Sequence, residues 1–372
     1  MTRPITKIFD AAATARLIPY AALVDALQRA SLDYAQQRIA SPERLVVPLN
    51  AGGILLSMPA TAPDLAIHKL VNVCASNRAR DLPTIHGQVM AFDADTGETL
   101  FVLDGPSVTG RRTAAMSMLG VRTFMARPPG EFLLIGTGTQ ALNHLEAIGE
   151  LYPDARVWVK GSSAARAEAF CVEYGEKTGE KASDDSSSDA RHRVLHLQPL
   201  PDTDAPLPDS IDVVIALTTS RQPVYDEAAR AGRLVIGVGA FTPEMAEIGA
   251  RTLAGSALYV DDLAGAKHEA GDFIQAGVEW ASVRGIASVL DGSAPLTASE
   301  ANEANEANEA NEANEANEAS EAHETNRAIV FKTVGCAAWD LAACRVARDA
   351  LASPGASPSA SRNASADPLP AA

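Results

Sequence analysis

A glycine-rich turn near the middle of the sequence carries the residues most suited to binding a nucleotide. Gly136, Gly138 and Ala141 follow an apolar run, residues 132–135, and lead into a helical pattern over residues 140–151. In a dinucleotide-binding βαβ unit, the first glycine allows the tight turn, the second lets the backbone approach the pyrophosphate, and a small third residue lets the helix pack on the strand. A glycine-rich turn can also simply connect a strand to a helix. The strand-turn-helix context favours the nucleotide site.

The next apolar run, residues 155–159, predicts a second strand of the same unit, and its end bears on which nicotinamide is bound. A carboxylate normally follows this strand and accepts hydrogen bonds from the ribose 2′-hydroxyl. Here the chain instead offers Lys160, Ser162 and Arg166, which could meet a 2′-phosphate. The sequence therefore predicts NADPH as the cofactor, with NADH as second choice. The alternative is that Lys160 and Arg166 are ordinary solvated charges.

Two later apolar runs, residues 211–217 and 233–238, predict further buried strands that end in small or hydroxyl-bearing residues. Ligands in open α/β sheets bind beyond the carboxyl ends of the strands, so these residues should line the nicotinamide crevice. A Thr or Ser after a strand is equally often a helix cap. The predicted cofactor-binding residues are Thr113, Gly136, Thr137, Gly138, Thr139, Gln140, Ala141, Lys160, Ser162, Arg166, Thr218, Thr219, Ser220, Gly239, Thr333 and Gly335.

The length and composition indicate a globular protein of two domains, because 372 residues with 47% apolar side chains exceed one typical core. The sequence has no uninterrupted apolar stretch of about 18 residues. Residues 1–10 lack the apolar core of a signal peptide, so we expect a cytoplasmic protein with no membrane partner. The net charge of −16 argues against nucleic-acid and acidic-membrane partners.

The cysteines and histidines give no pattern typical of a disulfide framework or a metal site. Cys74, Cys171, Cys336 and Cys344 are scattered and form no CxxC pair, so we interpret them as core-filling residues. The sequence also contains no HExxH motif. We therefore predict no bound metal.

Three stretches have compositions that do not suit a packed core. Residues 293–327 include consecutive Ala-Asn-Glu triplets, whose period of three matches neither a helix nor a strand and leaves no apolar face. Residues 177–191 are rich in Ser and Asp, and residues 353–372 are rich in Ala, Ser and Pro. We predict a disordered insert, a lengthened loop and a disordered tail. A transient exposed helix is the alternative for the triplets.

The remaining segments indicate how the two domains are arranged along the chain. Helical spacing over residues 12–38 precedes a run of strands, which indicates an antiparallel or mixed sheet. An apolar helix over residues 113–126 leads into a nucleotide domain over residues 127–292. Residues 328–332 predict a strand, and an amphipathic helix beginning at Thr333 returns the chain to the first domain.

Several short segments, taken together and in order, carry a resemblance to a known family. They are His68–Val71, Leu82–Gly87, Asp93–Glu98, Thr109–Ser117, Gly136–Ala141, Thr218–Ser220 and Phe331–Asp340. The specific combination is Arg-Thr-Ala-Ala after an Asp-Gly turn, followed about two dozen residues later by the Gly-x-Gly-x-Gln-Ala loop. These segments resemble the ornithine cyclodeaminase/μ-crystallin family over residues 5–350, apart from the low-complexity inserts.

The resemblance implies an α/β fold in which a Rossmann-type, doubly wound nucleotide domain is inserted into a discontinuous α+β domain. The discontinuous domain, for substrate binding and dimerisation, would comprise residues 1–126 and 328–352, and the nucleotide domain residues 127–292. Members of the family usually pair through the discontinuous domain. A homodimer is therefore expected.

The resemblance leaves several reactions open, and one position narrows them. Cyclodeaminases of the family carry an aspartate after the glycine that closes the fifth nucleotide-domain strand, whereas this chain has Phe241 there, after Gly239 and Ala240. Losing that acid/base group argues against deamination with ring closure and leaves hydride transfer intact. The best-fitting subgroup comprises bacterial reductases that convert Δ1-pyrroline-2-carboxylate to L-proline and Δ1-piperideine-2-carboxylate to L-pipecolate.

The resemblance also implies a substrate site in which basic side chains hold an anion. Arg112 matches the family's carboxylate clamp, and its planar guanidinium can bind both oxygens at once. Arg44 and Lys69 match the other two basic positions, and His86 is a further candidate contact. Lys69 either shares the carboxylate or supplies the imine proton, because a lysine buried near two arginines becomes a competent acid near neutral pH.

Each of these side chains also has a purely structural interpretation. Arg44 could be solvated at the surface, as could Arg111, which precedes Arg112 in the sequence. Lys69 could snorkel from the edge of its strand. His86 could merely occupy its strand, and Asp340 is expected to cap or pair structurally rather than react.

Other functions remain open at this point. The alternatives are an alanine-dehydrogenase-like or N-alkylamino-acid dehydrogenase, an ornithine cyclodeaminase, and a non-enzymatic binding protein of the μ-crystallin type. The sequence does not separate five-membered from six-membered ring substrates, because one methylene is worth only about 1 to 3 kcal/mol of discrimination.

Overall fold

The computed structural model describes residues 6–184, 196–200, 207–293 and 328–353. They form two compact units. The first contains the described residues up to Arg112 and those from Cys336 onward, and the second contains those from Thr113 to Gly335. The division falls inside one helix, α3 (Gly105–Phe124), and not at the predicted boundary after residue 126.

The first unit is built on a six-stranded mixed sheet, as predicted. The strands are β1 (Lys7–Ile8), β2 (Leu45–Pro48), β3 (Ile54–Ala62), β4 (Leu65–Val73), β5 (Ile85–Phe92) and β6 (Thr99–Asp104). Their order is β1-β6-β5-β4-β3-β2, with β1 parallel to β6 and the other pairs antiparallel. Alternate residues of β4, including Lys69, lie on the buried face, as expected for a sheet covered on one side.

The helices of the first unit are α1 (Ala11–Leu17), α2 (Tyr20–Ala35), the first half of α3, and α10 (Ala337–Ala352). The single helical pattern predicted over residues 12–38 is divided into α1 and α2 at Pro19, because a residue before proline is pushed out of the helical region. Ile18 accordingly has φ −127° and ψ 65°.

The last helix, α10, differs from its prediction in start and in burial. It begins at Ala337, four residues after the predicted Thr333, and residues 337–344 are all buried. Because α10 packs against α2 and against β3 and β4, its first half has no solvent-facing side. It is therefore not amphipathic there.

The second unit is built on an eight-stranded parallel sheet. The strands are β7 (Glu131–Ile135), β8 (Arg156–Lys160), β9 (His196–Pro199), β10 (Val213–Ala216), β11 (Leu234–Gly237), β12 (Ala257–Val260), β13 (Val283–Gly285) and β14 (Ile329–Lys332). Their order is β13-β12-β14-β11-β10-β7-β8-β9. The chain steps from β7 to β8 and β9 on one side and then to β10 and β11 on the other. The predicted doubly wound α/β fold is thereby confirmed.

The helices after α3 are α4 (Thr139–Leu151), α5 (Ala164–Asp184), α6 (Ala250–Ala254), α7 (Leu263–Glu269), α8 (Gly271–Gln275) and α9 (Ile286–Leu290). Helix α5 continues to Asp184, so the lengthened loop predicted from residue 177 is wrong up to that point. The rest of that stretch, to residue 191, and nearly all of the predicted insert (293–327) and tail (353–372) lie outside the described residues.

The position of strand β14 shows that the predicted domain assignment of residues 328–335 is wrong. The sequence predicts that they belong to the first domain, but Ile329–Lys332 lies between β11 and β12 in the parallel sheet. All four residues of the strand are buried, as is typical of a strand covered on both faces. The chain therefore completes the second unit before it enters α10. None of the helices in the described ranges is long and apolar enough to cross a bilayer.

Candidate functional site

Lys69 is buried in the first unit and is paired with one carboxylate. It lies on β4, an interior strand between β3 and β5, with a relative exposure of 3%. Its Nζ donates a hydrogen bond of 2.8 Å to Oδ2 of Asp340. The interpretation of Lys69 as a snorkelling residue at a strand edge is therefore wrong.

Asp340 brings a second cation to the same place. It stands in the first turn of α10 with no exposed surface, and its Oδ1 lies 3.4 Å from Nε of Arg112, on α3. The carboxylate thus lies between an amine and a guanidinium. Asp340 forms ion pairs, as interpreted from the sequence, and both partners are predicted site residues.

Arg44 completes the cationic group. It is half-buried and immediately precedes β2, whose first residue, Leu45, pairs with Ser57. The next residue of β3, Met58, pairs with Lys69, so Arg44 approaches Lys69 across a single strand. The charge of Arg44 acts on Lys69 from there. The structure therefore brings together the three basic residues that the resemblance implied.

The electrostatic surroundings of Lys69 give it an unusual proton affinity. Its pKa is lowered to about 8, mainly because burial disfavours the charged amine. Arg112 and Arg44 lower it further, and Asp340 opposes them. Lys69 is consequently protonated at neutral pH but close to releasing its proton.

Several polar atoms around this cluster have no hydrogen-bond partner within the described part of the chain. They are Nε of Arg112, Oδ1 of Asp340 and the hydroxyl of Thr109, all buried. Thr109 stands one turn before Arg112 on α3, so the two occupy the same helix face. Nε of Arg112 and Oδ1 of Asp340 form only the 3.4 Å ion pair with each other. Because buried polar groups normally have hydrogen-bond partners, this place suits a polar ligand. Sequence reasoning missed Thr109, although the Thr109–Ser117 segment contained it.

His86 and Arg111 are not part of this cluster. His86 pairs with Asn72, three residues from Lys69, so the alternation along β4 and β5 puts it on the opposite face of the sheet. His86 therefore does not lie beside Lys69, and its role as a substrate contact remains a prediction. Arg111 is buried, not at the surface. Its Nε donates to the carbonyl of Ile18, and its guanidinium stacks 3.8 Å above the ring of Tyr20.

In the second unit, the glycine-rich turn follows β7. Its two glycines have different structural surroundings. Gly136 has φ +125°, and a Cβ there would lie 2.8 Å from the carbonyl oxygen of Leu217, so the turn itself requires glycine. Gly138 is the N-cap of α4, and a Cβ there would meet nothing within 4 Å. The space beside Gly138 is open to a ligand, next to the unpaired N–H groups of the first helical turn.

The residues after Gly138 fit a bound nucleotide. Ala141 is fully buried, which allows α4 to pack closely on the sheet. Oε1 of Gln140 is buried without a hydrogen-bond partner in the described ranges. Thr137 and Thr139 lie in the same turn. Thr113, by contrast, lies on α3, where its carbonyl accepts a hydrogen bond from Ser117.

The end of β8 combines cationic side chains with a helix N-terminus. Lys160 is the last residue of the strand and is half-buried, while Ser162 and Arg166 are exposed. Helix α5 starts at Ala164, and the N–H of Arg166 donates to the hydroxyl of Ser163. An anionic group placed here would meet positive charge and free N–H groups.

The loops that follow β10 and β11 are linked by a carboxylate that sequence reasoning missed. The N–H and hydroxyl of Thr218 and the N–H of Gly239 all donate to Glu247. Thr218 therefore binds a side chain and is not a helix cap, contrary to the alternative interpretation. Thr219 and Ser220 continue the first of these loops. No local motif marks Glu247, because its partners come from distant strands.

The loop after β14 is held in a similar way. The N–H of Thr333 donates to the carbonyl of Gly237, and the N–H groups of Val334 and Gly335 donate to the carboxylate of Asp261. The predicted cofactor residues Thr218, Gly239 and Thr333 thus stand at the carboxyl ends of three adjacent strands. Their roles as cofactor contacts remain predictions.

No cluster of three or more metal-binding side chains occurs among the residues described.

The four cysteines are free thiols, with Cys336 and Cys344 buried and Cys74 and Cys171 half-buried. Burial raises the pKa of Cys171 to about 11 and raises that of Cys344 as well. Neither is a reactive thiolate at neutral pH.

The model of the ornithine cyclodeaminase/mu-crystallin family matches residues 6–192. Two relatives match over nearly their full length. The chain is 54% identical to Δ1-pyrroline-2-carboxylate reductase 1 of Burkholderia multivorans over 347 residues, which are 93% of this chain and 96% of the relative. It is 52% identical to the Δ1-pyrroline-2-carboxylate/Δ1-piperideine-2-carboxylate reductase of Azospirillum brasilense over 345 residues, again 93% and 96%.

Solved structures share the fold at lower sequence identity. The Δ1-pyrroline-2-carboxylate reductase of Thermococcus litoralis, solved with NADH and L-proline, is 22% identical with a TM-score of 0.71, over 92% of this chain and 97% of that one. An archaeal alanine dehydrogenase dimer with bound NAD is 23% identical with a TM-score of 0.70, over 92% and 95%.

Proposed function

The chain belongs to the ornithine cyclodeaminase/mu-crystallin family, and from that membership we propose that it is a nicotinamide-dependent reductase of cyclic imine acids. Its substrates are Δ1-pyrroline-2-carboxylate, reduced to L-proline, and Δ1-piperideine-2-carboxylate, reduced to L-pipecolate. The relatives that are more than half identical over nearly their full length are named as reductases of these compounds.

The observation that carries the proposal is the cluster of three cations in which buried Lys69 and Arg112 pair with one carboxylate and half-buried Arg44 lies nearby. Lys69, Arg112 and Arg44 outnumber Asp340, so the site has an excess of positive charge in a poorly solvated place. Such a site attracts a small carboxylate. The guanidinium of Arg112 suits both of its oxygens, and the buried hydroxyl of Thr109 offers one further contact.

Lys69 is proposed as the proton donor. When bound, the cofactor supplies a hydride to the carbon of the C=N bond, and the ring nitrogen must gain one proton to become the secondary amine. With a pKa of about 8, the ammonium of Lys69 is populated at neutral pH and acidic enough to donate. Asp340 keeps its Nζ in place through the hydrogen bond of 2.8 Å, and solvent restores the proton after release.

The second unit would hold the cofactor. The N-terminus of α4 beside Gly138 suits the pyrophosphate, and the small residues and hydroxyls after β10, β11 and β14 suit the nicotinamide half. We propose NADPH as the preferred cofactor. The support is the end of β8, where Lys160 and Arg166 replace the carboxylate that would bind a 2′-hydroxyl.

Phe241 argues against a cyclodeaminase reaction. This half-buried residue follows β11, and its side chain cannot act as an acid or a base. Alanine-dehydrogenase-like chemistry needs ammonia and a keto acid in the same pocket, so a direct comparison of substrates separates the two activities. A non-enzymatic binding protein would oxidise no cofactor.

We also propose that the chain forms a homodimer through the sheet of the first unit. Strand β2 lies at one edge of that sheet, and all of its residues are exposed, including Leu45, Val46 and Val47. Leu82 and Ile85 add to the exposed apolar surface. An apolar edge strand left in water promotes association, and a solved structural neighbour is described as a dimer.

With NADPH, we expect the protein to reduce both cyclic imines and to give no activity above background with pyruvate plus ammonia. Arg112→Lys should lower kcat/KM for the imines by about 10- to 100-fold, because an ammonium cannot make the paired contacts of a guanidinium. The measurement is cofactor absorbance. Arg122→Lys, an exposed change on the same helix, is the control. A wild-type protein that oxidises neither NADPH nor NADH with either imine would refute the function.

The pH dependence of kcat/KM should follow the protonation state of Lys69. Its acid form is active, so kcat/KM for imine reduction should be high below pH 8 and fall as the pH rises through about 8. Asp340 raises the pKa of Lys69, so Asp340→Asn should move this decline to lower pH by about one to three units. Asp349→Asn, an exposed position on the same helix, should leave the profile unchanged. An unmoved decline in Asp340→Asn would exclude Lys69 as the acid.

Removing the two cations near the end of β8 should reverse the cofactor preference. In Lys160→Ala/Arg166→Ala, kcat/KM with NADPH should fall by about tenfold or more, since each charged contact to the 2′-phosphate contributes at least about 1.5 kcal/mol, and the value with NADH should hardly change. Arg156→Ala, at the opposite end of the same strand, serves as control. Equal losses with both cofactors would contradict the assignment.

The homodimer predicts a solution mass of twice the 38.9 kDa of one chain. In Leu45→Asp/Val47→Asp, charged groups would replace the exposed apolar side chains of β2, so this variant should sediment as a monomer. Val172→Asp/Leu263→Asp makes the same replacements at exposed positions of the second unit and should stay dimeric. A monomeric wild type, or a β2 variant that remains dimeric, would rule out this interface.

A further inference from the structure

We propose that Glu247 is a positioning residue for the nicotinamide half of the cofactor. This inference rests on the proposed function, since it concerns how the cofactor is held for that reaction. Glu247 has no exposed surface. It therefore acts through the two loops that it binds and not through contact with solvent or substrate.

The carboxylate of Glu247 accepts four hydrogen bonds from two separate loops. On one side, Oε1 accepts from the N–H of Thr218 and from its hydroxyl, the latter at 2.9 Å. On the other side, Oε2 accepts from the N–H of Gly239 at 2.6 Å and from that of Ala240 at 2.9 Å. Thr218 follows β10 and Gly239 follows β11. The single carboxylate thus joins the two loops just beyond the last backbone hydrogen bond between the strands, from the N–H of Val238 to the carbonyl of Ala216.

Glu247 is itself fixed by a second buried carboxylate. Oδ1 of Asp272 accepts from the N–H groups of Glu247 and Ile248, and its Oδ2 lies 2.9 Å from Nζ of Lys332. Lys332 is the last residue of β14, and the charged side chains are all buried. The cluster therefore joins the carboxyl ends of β10, β11 and β14. Its lysine offsets part of the negative charge.

The two loops leave no room for an altered arrangement. A Cβ on Gly239 would lie 1.9 Å from the carbonyl oxygen of Thr218 and 2.8 Å from Oε1 of Glu247. Glycine is therefore obligatory where the loops meet. A change that weakens the carboxylate's bonds therefore removes the side-chain link between the two loops.

The order of the strands indicates which half of the cofactor depends on these loops. The glycine-rich turn follows β7, in the middle of the sheet, with β8 on one side and β10 and β11 on the other. A dinucleotide lies across the carboxyl ends with its pyrophosphate at the central turn. The adenosine half then extends toward the end of β8, near Lys160, and the nicotinamide half toward Thr218 and Gly239.

The test compares a complete cofactor with a fragment that lacks nicotinamide. Glu247→Gln replaces one acceptor oxygen with an amide NH₂ that faces N–H donors, so the link between the loops should fail. We expect the Kd of NADPH to rise by about tenfold or more, while the Kd of 2′,5′-ADP stays within about twofold of wild type. Calorimetry measures both. If the wild type binds NADH more tightly, NADH and ADP form the pair.

Glu244→Gln is the matched control, because it makes the same change three residues earlier on an exposed side chain; both of its affinities should match wild type. Binding of the fragment also reports whether the unit has folded. If Glu247→Gln does not fold, Glu247→Asp keeps the charge but shortens the reach, and it should show the same selective loss to a smaller extent.

Equal affinities of the Glu247 variant and the wild type, or equal losses for cofactor and fragment, would overturn the positioning role. A wild-type protein that binds neither NADPH nor NADH would instead overturn the proposed function, and the positioning role with it. The selective loss of the complete cofactor supports both.

Discussion

The ion pair between Lys69 and Asp340 is the interaction on which the candidate substrate site depends. Removing a lysine from water is costly, and two nearby arginines add to the cost, so the amine stays charged only because one carboxylate lies 2.8 Å from it. Breaking such a buried pair typically costs about 3 to 5 kcal/mol. The same balance keeps the pKa of Lys69 at about 8, below its usual value. Stability and the proposed proton transfer therefore depend on one contact between β4 and α10.

A buried lysine is paired with a carboxylate in each unit, Lys69 with Asp340 and Lys332 with Asp272, but the two clusters are organised differently. Around Glu247, four donors from the loops saturate one carboxylate. Around Asp340, one oxygen of the carboxylate and Nε of Arg112 have no hydrogen-bond partner in the described ranges. The first arrangement saturates the carboxylate of Glu247 and holds the backbone in place, although Oδ2 of Asp272 and Nζ of Lys332 beside it form only an ion pair with each other. The second leaves an oxygen of its central carboxylate without a hydrogen bond, which suits a site that must still receive a ligand.

Features that depend only on a local run of residues are predicted well from the sequence. The turn at Gly136 and the buried parallel strands are of this kind, and the family resemblance added Lys69 and Arg112. Features that depend on register or on distant strands were missed. The face on which His86 lies follows from the pairing of β4 with β5. Glu247 has no motif of its own, because its partners are brought to it by the sheet. The short apolar run of β14 would suit either sheet equally.

The late position of β14 and α10 in the chain has a consequence for biosynthesis. Strands β2 to β6 form from neighbouring hairpins and can pair soon after they leave the ribosome, yet the partner of Lys69 follows 271 residues later. The parallel sheet also lacks an interior strand until β14 emerges between β11 and β12. Until these elements emerge, the first nascent unit exposes the sheet surface that α10 covers, and the second exposes the unpaired edges of β11 and β12. The growing polypeptide is then most in need of chaperones.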